Sequence, residues 1–353
     1  MEHLMEALFD VAYLCVIFGL GLRLLLEQTK GAKKFGLMAL ILAGGDSFHL
    51  LPRVLSHLTP DGFIRYAALL SWGKLITAIT MTIFYLLFFS YYQDRTGDQA
   101  PAKKKLLYGL ALIRLLLLLL PQNGWGAAGS YSFELIRNIP FLLMGLLLIR
   151  WTWLERKQPG MRHAAELIFL SFFFYLLVVV GARFNPLLGV LMIPKTLAYV
   201  LLIASGYRFF VHDFRALTLF KLSITFLLLG LGGGVYYREF TKAFAYAGRT
   251  NLSLVHIHLL ILGFLFLLLL YSLLRDEQQI SFYRRPYLLY TTGLAWTAIA
   301  FLVRGMSQVV GAGTTFPTAA LSGIAGIGHI LLGIGLVWLL LRYYHVQRGA
   351  IGQ

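Results

Sequence analysis

The sequence has 353 residues, of which 59% are hydrophobic and 13% charged, with a formal net charge of +16. Soluble domains contain about 45–50% apolar residues, so this composition excludes an ordinary soluble domain. The positive charge would suggest nucleic-acid binding in a soluble protein, but in a membrane protein it is expected in the cytoplasmic loops. The single cysteine, Cys15, excludes an internal disulfide, a multi-cysteine metal site and an iron–sulfur cluster.

Apolar segments of about 20 residues recur along the whole chain, which is typical of membrane-spanning helices. Strands are not expected, because an open sheet edge in lipid leaves backbone groups unsatisfied. The first residues, MEHLMEALFD, are acidic, so we interpret the segment that follows as a span and not as a signal peptide. The pattern therefore predicts an all-α polytopic membrane protein with eleven spans, at about 8–26, 35–55, 66–91, 105–121, 133–154, 164–183, 186–210, 217–237, 252–274, 287–309 and 321–343.

Basic residues alternate between the loops of the two predicted sides. One side carries nineteen: Arg23, Lys30, Lys33, Lys34, Arg95, Lys103, Lys104, Lys105, Arg150, Arg156, Lys157, Arg162, Arg208, Arg215, Arg275, Arg284, Arg285, Arg342 and Arg348. The opposite side carries six: Arg53, Arg65, Arg183, Arg238, Lys242 and Arg249. Because cytoplasmic loops are enriched in Lys and Arg, we predict a cell-membrane protein with its N-terminus outside and its C-terminus in the cytoplasm.

A boundary is predicted near SGYRFFVHDFRALTLF, residues 205–220. Seven predicted spans precede it and four follow, so we expect a seven-helix domain at 1–212 and a four-helix domain with intramembrane histidines at 213–353. No internal repeat is evident, so an inverted-repeat transporter gains no support.

Four segments of the second part share a distinctive pattern of glycine, histidine and aromatic residues: GVYYREFTK, LVHIHLLILGFLF, LVRGMSQVVG and LSGIAGIGHILLGIGL. In these segments the chain from about residue 217 resembles an uncharacterised bacterial family of four-helix membrane proteins, a domain of unknown function. The resemblance implies fold and membership, and the family brings no activity. The first seven spans, with GGDSFHLLPR and LMIPKT, resemble uncharacterised bacterial membrane proteins.

Polar residues of the last four spans are predicted to lie at one level of the outer leaflet. They are candidate cofactor-binding residues: His256, His258, Arg304, Gln308 and His329. The three histidines are also candidate metal ligands, for haem b or for a transition metal. Residues two apart are about 200° apart around a helix, so His256 and His258 cannot both face the same point. The alternatives are a hydrogen-bonded polar cluster that sets helix register, and proton or ion handling.

The predicted eleventh span presents Ser322, Gly326, His329 and Gly333 on one helical stripe. Glycines beside an imidazole leave room for a planar ligand such as haem. They equally allow an adjacent helix to pack closely, which is the usual role of small residues in membranes.

A second polar group is predicted in the outer half of the first seven spans. We interpret it as a ligand cavity formed by Asp46, His49, Arg53, Lys74, Arg137, Asn138 and Lys195. Asp46 is expected to pair with Lys74 or Lys195, because a buried charge needs a partner. The excess of cations favours a small anionic or polar solute, and the alternative is a set of interhelical ion pairs. Arg114 receives no partner from the sequence.

No Walker A, Rossmann, HExxH or serine-elbow motif occurs, so the sequence assigns no enzyme activity and favours a protein that is not an enzyme, without deciding the question. Three functions stay open: haem or metal binding through the histidines of the second part, a transporter or channel using the charged cavity, and a non-catalytic sensor or assembly module. The expected partners are the lipid bilayer, a small-molecule ligand at the outer face, and a second copy or another membrane protein, with no nucleic acid.

Overall fold

The computed structural model describes residues 2–127, 129–311 and 318–351, and within these ranges the secondary structure is entirely helical. This confirms the predicted all-α polytopic architecture. Eleven long helices, each overlapping one predicted span, occur in the described chain: α1 (Glu2–Leu25), α2 (Lys30–Leu58), α3 (Ala67–Thr96), α4 (Pro101–Leu119), α5 (Tyr131–Leu154), α6 (Ala164–Gly181), α7 (Met192–Phe210), α8 (Ala216–Ala243), α9 (Leu252–Leu274), α10 (Arg284–Val309) and α11 (Thr318–Ile351).

Helix α4 differs from the other ten, which by length and composition are able to cross a membrane. It has 19 residues, begins PAKKK and carries Arg114. At 1.5 Å per residue it is about 28 Å long, close to the thickness of a bilayer core. Its four positive charges lie within only 19 residues, whereas the four of α2 are spread over 29. The eleventh span therefore stays a prediction.

Local sequence explains the sharp connection from α3 to α4. Gly97 follows α3 with φ +73°, a left-handed conformation that glycine adopts without strain, and its N–H donates to the carbonyl of Gln93 at 2.9 Å. The Asp98 carboxylate then accepts the Ala100 N–H at 3.1 Å, and Pro101 opens α4.

By their contacts the residues divide into two units, and the first comprises Tyr13–Arg53 and Phe63–His212. Aromatic rings from α3 fill its interior, and Tyr85 and Phe89 are fully buried. The Tyr85 ring centre lies 5.5 Å from that of Phe141. Such aromatic pairs contribute about 0.5–1.5 kcal/mol each beyond their buried area, so this core holds the polar residues of the unit in defined positions.

The second unit comprises Met1–Ala12, Val54–Gly62 and Asp213–Gln353. Its helices α10 and α11 approach closely because glycines lie at the crossing. A Cβ atom at Gly293 would lie 2.3 Å from the Leu332 backbone nitrogen. Small residues are what allow such a backbone approach in membrane helices. The predicted division into domains at 1–212 and 213–353 stays a prediction.

Candidate functional site

The two histidines of α9 point to different sides of the helix. The His256 ring stacks on Tyr237 of α8, with ring centres 6.2 Å apart and an angle of 14° between the planes. The His258 ring instead meets His329 of α11, with centres 6.2 Å apart and planes at 86°. His258 and His329, called the histidine pair below, are therefore the two imidazoles that the structure brings together.

Hydrogen bonds orient both imidazoles of the histidine pair in the same way. His258 Nδ1 lies 2.9 Å from the Leu254 carbonyl, and His329 Nδ1 lies 2.9 Å from the Ala325 carbonyl. A carbonyl only accepts, so each Nδ1 carries the proton and donates it. In a neutral imidazole this leaves the lone pair on Nε2, the atom that would bind a metal.

Phe301 of α10 completes this cluster. Its ring centre is 5.0 Å from that of His258 and 5.5 Å from that of His329. Three helices thus contribute one ring each, and the Phe301 ring lies beside both imidazoles.

Open space adjoins His329 on α11. His329 is exposed, and a Cβ atom at Gly326 or Gly333 would have no neighbour within 4 Å. Gly335 behaves differently, because its Cβ would lie 2.5 Å from the Tyr290 nitrogen. Only some of the α11 glycines therefore serve helix packing, and those on the predicted stripe of His329 leave room beside it.

A π-helical segment follows His258 immediately. Residues Leu259–Leu265 form it, and the Tyr290 hydroxyl donates to the Leu262 carbonyl at 2.8 Å. The wider turn leaves backbone groups poorly bonded inside the helix, and Tyr290 satisfies one of them. Such segments are rare and frequently occur at functional positions.

The other predicted residues of the last four helices lie apart from the histidine pair or serve the backbone. Gln308 uses both side-chain ends on Asn251: its Oε1 accepts the Asn251 N–H at 2.8 Å, and its Nε2 donates to the Asn251 Oδ1 at 2.9 Å. Arg304 is partly buried. The Nδ1 atom of His256 is buried without a hydrogen-bond partner among the described residues.

The three histidines are not gathered into one metal site. Within residues 2–127, 129–311 and 318–351, no group of three or more His, Cys, Asp or Glu side chains could hold an ion. The reason is the helical geometry of α9, which turns His256 toward Tyr237.

The predicted cavity residues of the first unit each make their own contacts, and the cavity itself stays a prediction. The Tyr13 hydroxyl donates to Asp46 Oδ2 at 2.6 Å, and His49 Nδ1 contacts the Leu70 carbonyl at 3.2 Å. Lys74 is exposed, and Lys195 interacts with Asp46 only at longer range, so neither lysine forms a direct ion pair with Asp46 among the described residues. Arg53, on the same helix as Asp46, is partly buried.

Lys195 and Arg137 find different surroundings. The Lys195 Nζ lies over the rings of Tyr175 at 4.7 Å and Tyr199 at 5.8 Å, and acts on Asp46 at longer range. Arg137 donates to Glu134 at 3.1 Å and so has its own counter-ion.

Asn138 and a previously unassigned arginine lie in the same region. The Asn138 Oδ1 accepts the Tyr175 hydroxyl at 2.9 Å. Arg114 is only 2% exposed, and its guanidinium carbon lies 3.4 Å from the Phe141 ring centre. Sequence reasoning found Arg114 but gave it no role, because the residues around it come from helices far apart in the chain.

A further cluster was missed altogether. His3 Nδ1 lies 2.9 Å from His57 Nδ1, and His57 Nε2 lies 2.8 Å from Glu6. These residues belong to α1 and α2 and are separated by more than fifty positions, so no local pattern signals their contact.

Comparison with known proteins bears on the last four helices. Residues 217–346 match a family described as a protein of unknown function, DUF2871. This confirms the resemblance seen in the sequence. Neither a curated protein nor a solved structure matches the chain.

The DUF2871 match covers nearly all of α8 to α11 and leaves α1 to α7 outside. His256, His258, Arg304, Gln308 and His329 lie within the DUF2871 region. All seven predicted cavity residues precede it. The two groups of polar residues therefore belong to different parts of the chain.

Proposed function

We propose that His258 and His329 are the two protein ligands of a transition-metal cofactor in this multi-pass membrane protein, with haem iron as the favoured form. The observation that supports it is the orientation of both rings, since each donates its Nδ1 proton to its own helix and keeps the Nε2 lone pair. Metal-ligating histidines generally use the other ring nitrogen in this way.

The spacing of the rings suits a shared metal. An ion bonded to two imidazole nitrogens at about 2.0–2.1 Å each holds the ring centres roughly 5–6.5 Å apart, depending on the angle at the ion. The ring centres of the histidine pair are 6.2 Å apart. A pair at this distance needs little rearrangement to bind one ion.

Haem is favoured over a bare ion by the number of ligands. Structural zinc sites usually take four protein ligands, whereas the porphyrin supplies four nitrogens and leaves only axial positions for the protein. The described residues offer two imidazoles here and no third His, Cys, Asp or Glu in a group with them. Haem would supply one-electron chemistry, and the chain would hold and orient it.

Phe301 sets a condition on this proposal. Its ring lies beside both imidazoles, so Phe301 would have to move for a porphyrin to bind there. The open space at Gly326 and Gly333 would leave room beside His329. A bare ion would require no such movement.

The test is the cofactor content of the full chain, expressed with iron and 5-aminolevulinate and purified in mild detergent. The wild type should show a Soret band, or a stoichiometric transition metal by elemental analysis. His258→Gln and His329→Gln should lower occupancy at least about tenfold. His256→Gln is the matched control, because His256 lies on the same helix but stacks on Tyr237, and it should retain the cofactor.

Two results would refute the proposal. One is a wild-type protein with neither a Soret band nor bound metal. The other is an equal loss of cofactor in His256→Gln and His258→Gln at unchanged size-exclusion profiles. Either result would favour the assembly role, in which the histidine pair only stabilises the helices.

The orientation of the chain is part of the proposal. The excess of basic residues in alternate loops supports an outside N-terminus and a cytoplasmic C-terminus in the cell membrane. The histidine pair would then lie toward the outer face. In a Cys15→Ser background, a cysteine introduced at the exposed position of Gly248 should react with a membrane-impermeant maleimide on whole cells, and one at Lys157 should not.

A further inference from the structure

Arg114 is a buried cation whose hydrogen-bonding capacity is unused. Its Nε and Nη1 atoms are shielded from solvent and have no hydrogen-bond partner among the described residues. The Phe141 ring covers one face of the guanidinium, at 3.4 Å from its carbon to the ring centre. A cation–π contact offsets part of the cost of burial but uses none of the N–H donors.

Charge balance around Arg114 leaves one positive charge without a counter-ion. Glu134 pairs with Arg137, and Asp46 is the acid that acts on Lys195. Both Arg137 and Lys195 are close enough to repel Arg114. Buried charges in membranes are expensive and normally paired, so this region requires a further anion.

The remaining neighbours of Arg114 are hydroxyl groups and rings. The Tyr85 and Tyr175 rings pack against Phe141, with ring centres 5.5 Å and 5.9 Å from its own, and Tyr199 lies beside Tyr85. The Tyr175 hydroxyl is engaged with Asn138 and the Tyr85 hydroxyl donates to Tyr199 at 3.1 Å. The Arg114 Nε and Nη1 donors have no hydrogen-bond partner among the described residues, and the Lys195 ammonium lies over the Tyr175 and Tyr199 rings.

We propose that Arg114 and Lys195 together bind one oxoanion, a carboxylate or a phosphate group. A guanidinium presents parallel N–H donors that match the two oxygens of such a group, and the Lys195 ammonium adds charge. This site is independent of the histidine pair, because all of its residues belong to the first unit.

The surroundings also accommodate an apolar part of the ligand. A cavity of about 190 Å³ is lined in part by Tyr175 and by Phe141, the ring that covers Arg114, while Arg114 and Lys195 lie outside its lining. Apart from Asn138, its lining is apolar or aromatic, with Leu142 and Val179 among the aliphatic residues. The anion can therefore come from two sources, an amphiphile such as a fatty acid or anionic lipid, or a small soluble anion.

The test uses the full chain, delipidated in neutral detergent, and four probes: oleate, phosphatidylglycerol, acetate and inorganic phosphate. Thermal unfolding should shift upward with at least one probe. A response confined to oleate or phosphatidylglycerol assigns the site to an amphiphile, and a response to acetate or phosphate assigns it to a soluble anion. Native mass spectrometry before delipidation identifies a co-purified lipid.

Variants separate binding from folding. Arg114→Met should raise or maintain the unfolding temperature without a probe, because it removes an unpaired buried charge, and should abolish the probe response. Arg114→Lys keeps the charge but loses the planar fork, so its apparent affinity should fall at least about tenfold. Arg150→Met is the control, since Arg150 is exposed on α5, and should respond like the wild type.

The proposal is overturned if the wild type responds to none of the four probes. It is equally overturned if Arg114→Met retains the wild-type response, because the anion then binds elsewhere.

Discussion

The crossing of α10 and α11 allows a quantitative test that compares two glycines of one helix. A Cβ atom at Gly335 would lie 2.5 Å from the Tyr290 nitrogen and 2.6 Å from its Cα. Both atoms are backbone, so α10 must shift as a whole to relieve the clash. A Cβ atom at Gly333 would have no neighbour within 4 Å.

The expected magnitudes follow from two terms. Alanine is favoured over glycine in a helix interior by about 1 kcal/mol, and this gain applies at both positions. Overpacking a tight contact costs about 1–3 kcal/mol, and it applies only at Gly335. Gly333→Ala should therefore stabilise the protein by up to about 1 kcal/mol, and Gly335→Ala should be less stable than Gly333→Ala by about 1–3 kcal/mol.

The free energy of unfolding can be measured for both variants by denaturation in mixed micelles of a mild detergent and SDS. Because helix propensity cancels between them, their difference reports the contact with Tyr290 alone. Equal stability of the two variants would refute the close crossing. A larger loss at Gly333 would show that its open face is covered, by a cofactor or by another chain.

Two further changes probe single hydrogen bonds. Tyr290→Phe removes the donor to the Leu262 carbonyl and should lower the free energy of unfolding by about 0.6 kcal/mol, and by at most about 1.7 kcal/mol. Tyr271→Phe is the control and should change the free energy of unfolding little, because the Tyr271 hydroxyl has no partner among the described residues. In the loop before α4, the hydrogen bond from Lys103 holds the pKa of the Asp98 carboxyl below its ordinary value. The stabilisation by the ionised Asp98 carboxylate is present above the unfolded pKa of about 3.9 and is lost as pH falls through the folded pKa. Asp98→Asn should therefore lower the free energy of unfolding by less than about 1 kcal/mol at pH 7 and leave it unchanged at strongly acidic pH. A difference in stability that does not depend on pH would contradict this assignment.

The divergence of His256 and His258 shows how far local reasoning extends. Helical geometry alone separates two residues in the sequence HIH, and this follows from 3.6 residues per turn. Which of the two meets His329 depends on the rotation of α9 against α8 and α11, and no residue of α9 reveals it. Gln308 illustrates the same limit, because its partner Asn251 is 57 residues away in the chain.

The contacts of the α11 glycines and of Arg114 could be recognised only from the assembled helices. The GIAGIGHILLGIG segment predicts close packing or an open cleft, and the structure contains both: Gly328 and Gly335 lie against α10, while Gly326 and Gly333 do not. Arg114 had no visible partner in its own helix, and its ring contacts come from α5, with Tyr175 and Tyr199 on α6 and α7 nearby.

Hydrophobicity by itself determined the helical class of this protein and the approximate bounds of its helices, because apolar segments in lipid must satisfy their backbone hydrogen bonds internally. The pairing of His258 with His329 and the isolation of Arg114 were decided only by tertiary structure. Both depend on the rotation and depth of neighbouring helices, which are set by side chains meeting across long distances in the chain.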